Sequence, residues 1–160
     1  ISEKREVDSM AEHIFKSEFS IDIPRPRVFD FFANAENLEQ ITPPELGFHI
    51  ETPRPIEIRQ GTVIDYKLSI HGIQVDWRSE ITFWDPPYEF VDTQLKGPYK
   101  EWNHRHRFTE TGSGQTLMED LVRYRLPFEP FGDIAQFLVG RQLKYIFDTR
   151  RKMINELLPI

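Results

Sequence analysis

Two imidazoles stand two residues apart in Trp102-Asn103-His104-Arg105-His106-Arg107-Phe108, and a carboxylate follows in Asp120-Leu121-Val122-Arg123-Tyr124. In an extended chain, residues i and i+2 share a face. Trp102, His104, His106 and Phe108 therefore line one side, while Glu101, Asn103, Arg105 and Arg107 line the other and must meet water. By the same parity Met118, Asp120, Val122, Tyr124 and Leu126 point one way, with Glu119, Arg123 and Arg125 opposite; only Leu121 interrupts the split. The inner face thus carries two histidines and an aspartate.

Such a trio has three possible uses. Buried imidazoles and a carboxylate can satisfy one another, since an unpaired buried polar group costs roughly 1–3 kcal/mol. They can anchor the polar end of an otherwise apolar ligand. They can also do acid/base chemistry, with an Asp-oriented His moving a proton beside a carbonyl, as aldol cyclisation and dehydration require. His104, His106 and Asp120 are the catalytic candidates in that last case. A metal reading is prompted by His104-x-His106-x3-Glu110, the spacing of the first cupin motif. That site also wants a third histidine on a later strand. None follows His106, since the other three are His13, His49 and His71, so no metal and no cofactor are expected.

The elements that hold these groups follow from periodicity. Phe15, Ser17, Phe19, Ile21 and Ile23 alternate with Lys16, Glu18, Ser20 and Asp22, a strand with one wet face. Pro24 and Pro26 end it, and Pro26 suits the first turn of a short helix carrying Val28, Phe29, Phe31 and Phe32. A second short helix spans about Ala35 to Ile41, closed by Thr42-Pro43-Pro44. Strand-like runs then cover Phe48–Glu51, Thr62–Ile70, Gln74–Trp84, Glu89–Leu95, Lys100–Thr109 and Gln115–Leu126. Their separators, such as His71-Gly72, Asp85-Pro86-Pro87 and Thr111-Gly112-Ser113-Gly114, are short turns that suit antiparallel neighbours and a meander.

From Asp133, a candidate N-cap, to about Leu158 the period changes to three and four, with Val139, Leu143, Ile146, Phe147, Ile154 and Leu157 apolar. Arg150, Arg151 and Lys152 read as a solvated face suited to the helix dipole. Tyr66, in line with Ile64, Leu68 and Ile70, is an inward hydroxyl, and Trp77, Ser79, Ile81 and Phe83 form another inner row. In Glu89–Leu95, hydrophobicity alone would bury Val91, Thr93 and Leu95 rather than Phe90, Asp92 and Gln94, and the register stays open.

The fold class is therefore α+β, with a seven-stranded antiparallel curved sheet wrapped around a long C-terminal helix and two short helices after the first strand. Residues 1–12 read as a polar tail, linker or cloning remnant, and 13–160 as a single domain of the usual size. Thirteen Phe, three Trp and five Tyr exclude a disordered chain. A formal charge of −6 argues against nucleic acid and anionic lipid. No run approaches the roughly 18 apolar residues of a spanning helix, and no signal-peptide core is evident. The absence of cysteine excludes disulfides, thiolate metal sites and cysteine nucleophiles. A cytoplasmic location is the default expectation. Elbow, phosphate-loop, dinucleotide and His-Glu-x-x-His motifs are all missing.

The order of elements, together with Val28-Phe29-Asp30-Phe31-Phe32, Thr42-Pro43-Pro44, Trp84-Asp85-Pro86-Pro87, Gly97-Pro98-Tyr99 and the two strands quoted first, resembles the SRPBCC superfamily from about Ile14 to Leu158. That superfamily includes START-like lipid carriers, birch-pollen-allergen-like proteins and polyketide cyclase/dehydrase-like proteins. The W-x-H-x-H-x-F strand followed by D-x-V-x-Y is most similar to its bacterial ligand-binding subgroup. The resemblance implies a helix-grip fold with a hydrophobic cavity between sheet and helix, and a function to be argued from the lining.

The expected function is binding of a small hydrophobic molecule by Tyr66, Trp77, Trp102, His104, His106, Phe108, Asp120, Tyr124, Leu143 and Phe147. The alternatives are a cyclase/dehydratase-type enzyme acting through the His/Asp cluster and a protein-docking module. Oligomeric state is left open.

Overall fold

Residues 12–127 and 132–158 are described by the computed structural model of the chain. The first strand, β1 (His13–Ile21), keeps its odd residues turned inward and its even ones outward, as its alternation requires. Two short helices follow. In α1 (Arg25–Phe32), Pro26 occupies the first turn and Val28 and Phe29 are buried. In α2 (Ala35–Gln40), the Asn34 side chain accepts a hydrogen bond from the Glu36 backbone N–H at 3.0 Å, a side-chain N-cap. A 3-10 turn at Pro44–Leu46 ends on Gly47 at φ +53°, where a glycine is favoured. That turn delivers Leu46 to the interior.

Six further strands are β2 (His49–Ile50), β3 (Val63–Ile70), β4 (Ile73–Asp85), β5 (Glu89–Lys96), β6 (Glu101–Gly112) and β7 (Gln115–Arg125). They run as an antiparallel meander from β2 to β7, and β1 pairs with β7, giving the order β1-β7-β6-β5-β4-β3-β2. The long helix α3 (Gly132–Leu157) crosses the concave face. Leu143 and Phe147 pack with Val122, Tyr124 and Leu126, while Ile154 joins Phe108 and Met118. Residues 1–11, most of the proposed tail, lie outside the described residues, as does the Asp133 side chain proposed as a cap.

Three local expectations change. A β-bulge between Ile81 and Phe83 places an extra residue in β4 and reverses the parity beyond it. Phe83 is therefore exposed, and Trp84 turns in beside Phe29 and Phe90. Leu157 is exposed rather than part of the helix stripe. Arg150, expected on a solvated face, is buried: Leu143, Phe147, Arg150 and Ile154 form one stripe at steps of four, three and four, all turned toward the sheet.

Candidate functional site

Between the sheet, α3 and the short α2 segment lies a pocket of about 180 Å³. Its apolar end is aromatic. Tyr66 stacks on Trp77 at 5.8 Å, Trp77 meets Trp102 edge-on at 5.3 Å, and Tyr99 fills between them at 5.6 and 4.7 Å. The polar tips of two of these rings converge on one hydroxyl: Trp77 Nε1 donates to Ser79 Oγ at 3.0 Å, and Tyr66 Oη lies 3.3 Å from the same atom. Those tips are satisfied without drawing water in. Leu46, Leu143 and Phe147 close the apolar wall.

The opposite end is polar. Register sets Asp120 directly across from His106, and Asp92 directly across from His104. The shortest bonds run diagonally: His104 Nε2 to Asp120 Oδ1 at 2.7 Å, and His106 Nε2 to Asp92 Oδ2 at 2.8 Å. The return contacts are longer, His106 Nδ1 to Asp120 Oδ1 at 3.2 Å and His104 Nδ1 to Asp92 Oδ2 at 3.7 Å. The four groups thus close a ring, with His106 Nδ1 and Asp120 Oδ2 left short of a hydrogen bond.

Burial opposes charge on both carboxylates, but the imidazole hydrogen bonds outweigh it and hold Asp92 and Asp120 below the ordinary aspartate range. Both are ionised at neutral pH. Burial lowers His104, helped by the neighbouring imidazole. Burial opposes charge on His106 as well, but the Asp120 and Asp92 carboxylates beside it outweigh that and raise it. With the rings 3.7 Å apart, two imidazolium charges would repel strongly, so His106 takes the proton. When His106 is protonated the two carboxylates face one imidazolium, and the Arg150 guanidinium adds positive charge at longer range.

These directions set the pH response. A carboxylate lowered in the fold contributes stability above its unfolded value of about 3.9, lost as pH falls below it. His106 contributes below about pH 6.5 and loses that contribution as pH rises. His104, lowered, contributes above about pH 6.5 and loses it as pH falls, so the histidines oppose one another in mid-range. The stability difference between the wild type and Asp120→Ala is therefore expected to shrink steadily between about pH 5 and pH 2, read as thermal midpoints. A constant gap across that range would contradict the ionised state of Asp120.

Seven of the sequence-proposed residues line the pocket: Tyr66, Trp77, Trp102, His104, His106, Leu143 and Phe147. Three do not. Phe108 packs in the core against Phe29 and Phe32. Asp120 stands behind the imidazoles, and Tyr124 packs on His13, Tyr99 and Trp102. Asp92, Tyr99, Ser79 and Arg150 are among the lining residues that the sequence reading did not propose. Arg150 had a signal, because its spacing from Phe147 and Ile154 places it on the buried stripe. Asp92 had none beyond parity.

Glu110, third in the cupin-like spacing, is exposed beside Arg25 at 3.7 Å and far from service as a ligand to the pair. Asp92, His104 and His106 do bring one donor atom each within 4.8 Å of one another, a set able to hold a divalent cation. The shortest contact in that set, His106 to Asp92, is already a hydrogen bond, and Arg150 adds positive charge nearby.

No sequence-family model and no curated protein sequence matches the chain. Solved structures do. A START superfamily protein from Mycobacterium smegmatis superposes with a TM-score of 0.72 at 12% identity, covering 91% of this chain and 99% of that one. Norcoclaurine synthase from Thalictrum flavum, in complex with dopamine and hydroxybenzaldehyde, gives 0.66 at 14% identity over 95% and 91%. Major latex-like protein 151 from Panax ginseng gives 0.64 at 14% identity over 92% and 99%. None of the described helices is long and apolar enough to cross a membrane. Strand order, the paired short helices and the long helix across the concave sheet together give this chain the SRPBCC/START-like helix-grip fold.

Proposed function

We propose that the protein binds a small, mainly hydrophobic molecule between the sheet and α3. The observation that carries this reading is the aromatic-lined space of about 180 Å³ closed at one end by buried polar groups. Apolar walls with a few convergent polar groups are the usual makeup of small-molecule sites. Trp77, Trp102, Leu143 and Phe147 would cover the apolar body, while His104 and His106 face its polar end. Native mass spectrometry of the purified protein is expected to show an added mass that leaves on denaturation. A bare chain that also takes up no hydrophobic probe would overturn the reading.

A cyclase or dehydratase activity is the second reading, favoured by carboxylate-held imidazoles on a pocket wall. The same fold carries norcoclaurine synthase, named for a reaction, with two aromatic compounds bound. Here His104 would be the base, because it is the imidazole kept neutral. Turnover lost in His104→Gln with ligand affinity retained would separate catalysis from binding.

A further inference from the structure

Arg150 is the one feature of the pocket that the His/Asp ring does not explain. Its residue exposure is 8%, and it stands among Leu143, Phe147 and Ile154 on the helix face that meets the sheet. Its guanidinium carbon lies 4.9 Å from the Phe147 ring centroid, and its Nε has no hydrogen-bond partner. Among the described residues no carboxylate comes within ion-pair distance of it. Asp92 and Asp120 act on it only at longer range, and Asp92 Oδ2 and Asp120 Oδ1 are already held by imidazoles.

A guanidinium offers five N–H donors in a fixed plane and no acceptor. The Arg150 Nε is buried without an acceptor, which is costly, and a solvent-facing position was available to the helix one residue further on, where Arg151 is exposed. The acceptor is therefore to be sought in what enters the pocket. Resting on the binding reading above, we infer that the ligand is an apolar molecule ending in a carboxylate, and that Arg150 receives that carboxylate at the polar end of the pocket.

A carboxylate fits this site better than a phosphate. Its two oxygens match the planar fork in a bidentate pair. A phosphate would bring more charge and more acceptor oxygens than a single guanidinium beside Asp92 can serve. The cavity is also small: a dry cavity of about 150 Å³ accommodates benzene, so a body of about one ring fits the available space.

The probes follow from that size: 3-phenylpropanoate and its alcohol, 3-phenylpropan-1-ol, titrated at pH 7 by calorimetry and by the fluorescence of Trp77 and Trp102. The wild type is expected to bind the acid at least about tenfold more tightly than the alcohol, the margin of one charge-assisted pair. In Arg150→Met the ratio of acid to alcohol affinity is expected to fall to about twofold or less, while Arg150→Lys keeps part of it. Equal binding of acid and alcohol by the wild type, or a preference that survives in Arg150→Met, overturns the carboxylate assignment and leaves the binding reading standing. Binding of neither probe, with no co-purified mass, overturns both. The wild-type comparison needs no variant to fold.

Discussion

Replacing Asp120 by alanine is expected to cost about 3–5 kcal/mol of folding stability, the usual loss when one partner of a buried charged pair is removed. Asp120 is 3% exposed and accepts from His104 at 2.7 Å, with His106 Nδ1 3.2 Å from the same oxygen. Without it His104 keeps a buried N–H with no acceptor, and the proton on His106 loses one of its two counter-charges. The measurement is the urea midpoint at pH 7 with the slope held common to both proteins. Combining Asp120→Ala with His104→Leu should give a coupling of at least about 1 kcal/mol, because the second change removes the group that the first left unpaired. A single-variant loss below about 1 kcal/mol, with additive effects, would show that the ring contributes little to holding β6 against β7.

Phe108→Ala is expected to cost a similar amount, about 3–5 kcal/mol, for a different reason. Phe108 is 1% exposed, and its ring lies 5.4 Å from Phe29, 5.6 Å from Phe32 and 6.2 Å from Phe90. Truncation leaves a cavity that the strand and α1 cannot collapse, since both are held by their own backbone hydrogen bonds. The effect should appear in the denaturation midpoint. Ligand occupancy of the folded fraction should hold, because the ring stands behind Phe32 and Phe90 rather than on the pocket wall. A small stability loss with abolished binding would reverse that assignment and return Phe108 to the binding residues.

The inner rows of β6 and β7 were legible in the residues alone. Every charged side chain of Glu101–Phe108 falls on one parity except the two histidines, so a single register satisfies the strand. The Thr111–Gly114 turn then brings the rows together with His106 opposite Asp120. The short helices, the meander and the long amphipathic helix were equally local in origin. Each depends on periodicity and turn chemistry within its own segment.

Other features depend on partners far along the chain. β5 presents a more apolar face in Val91, Thr93 and Leu95, yet Phe90 and Asp92 turn inward. Phe90 stacks on His106 at 4.2 Å, and Asp92 finds the His106 donor. Hydrophobicity within eight residues cannot anticipate an acceptor required by a strand that follows later. The bulge near Thr82 is likewise a property of pairing between two strands, and it alone moves Phe83 out and Trp84 in. Arg150 shows the same division. Its spacing puts it on the buried stripe, but a cationic side chain is ordinarily assigned to water unless its surroundings compensate it. Asp92, Asp120 and the Phe147 ring supply only part of that compensation, at longer range and through the ring face, and only the packing of α3 across the sheet assembles them around it. Period and turn chemistry are properties of the local backbone and could be read in order along the chain, whereas the burial of charge is settled by groups that only tertiary structure brings within reach.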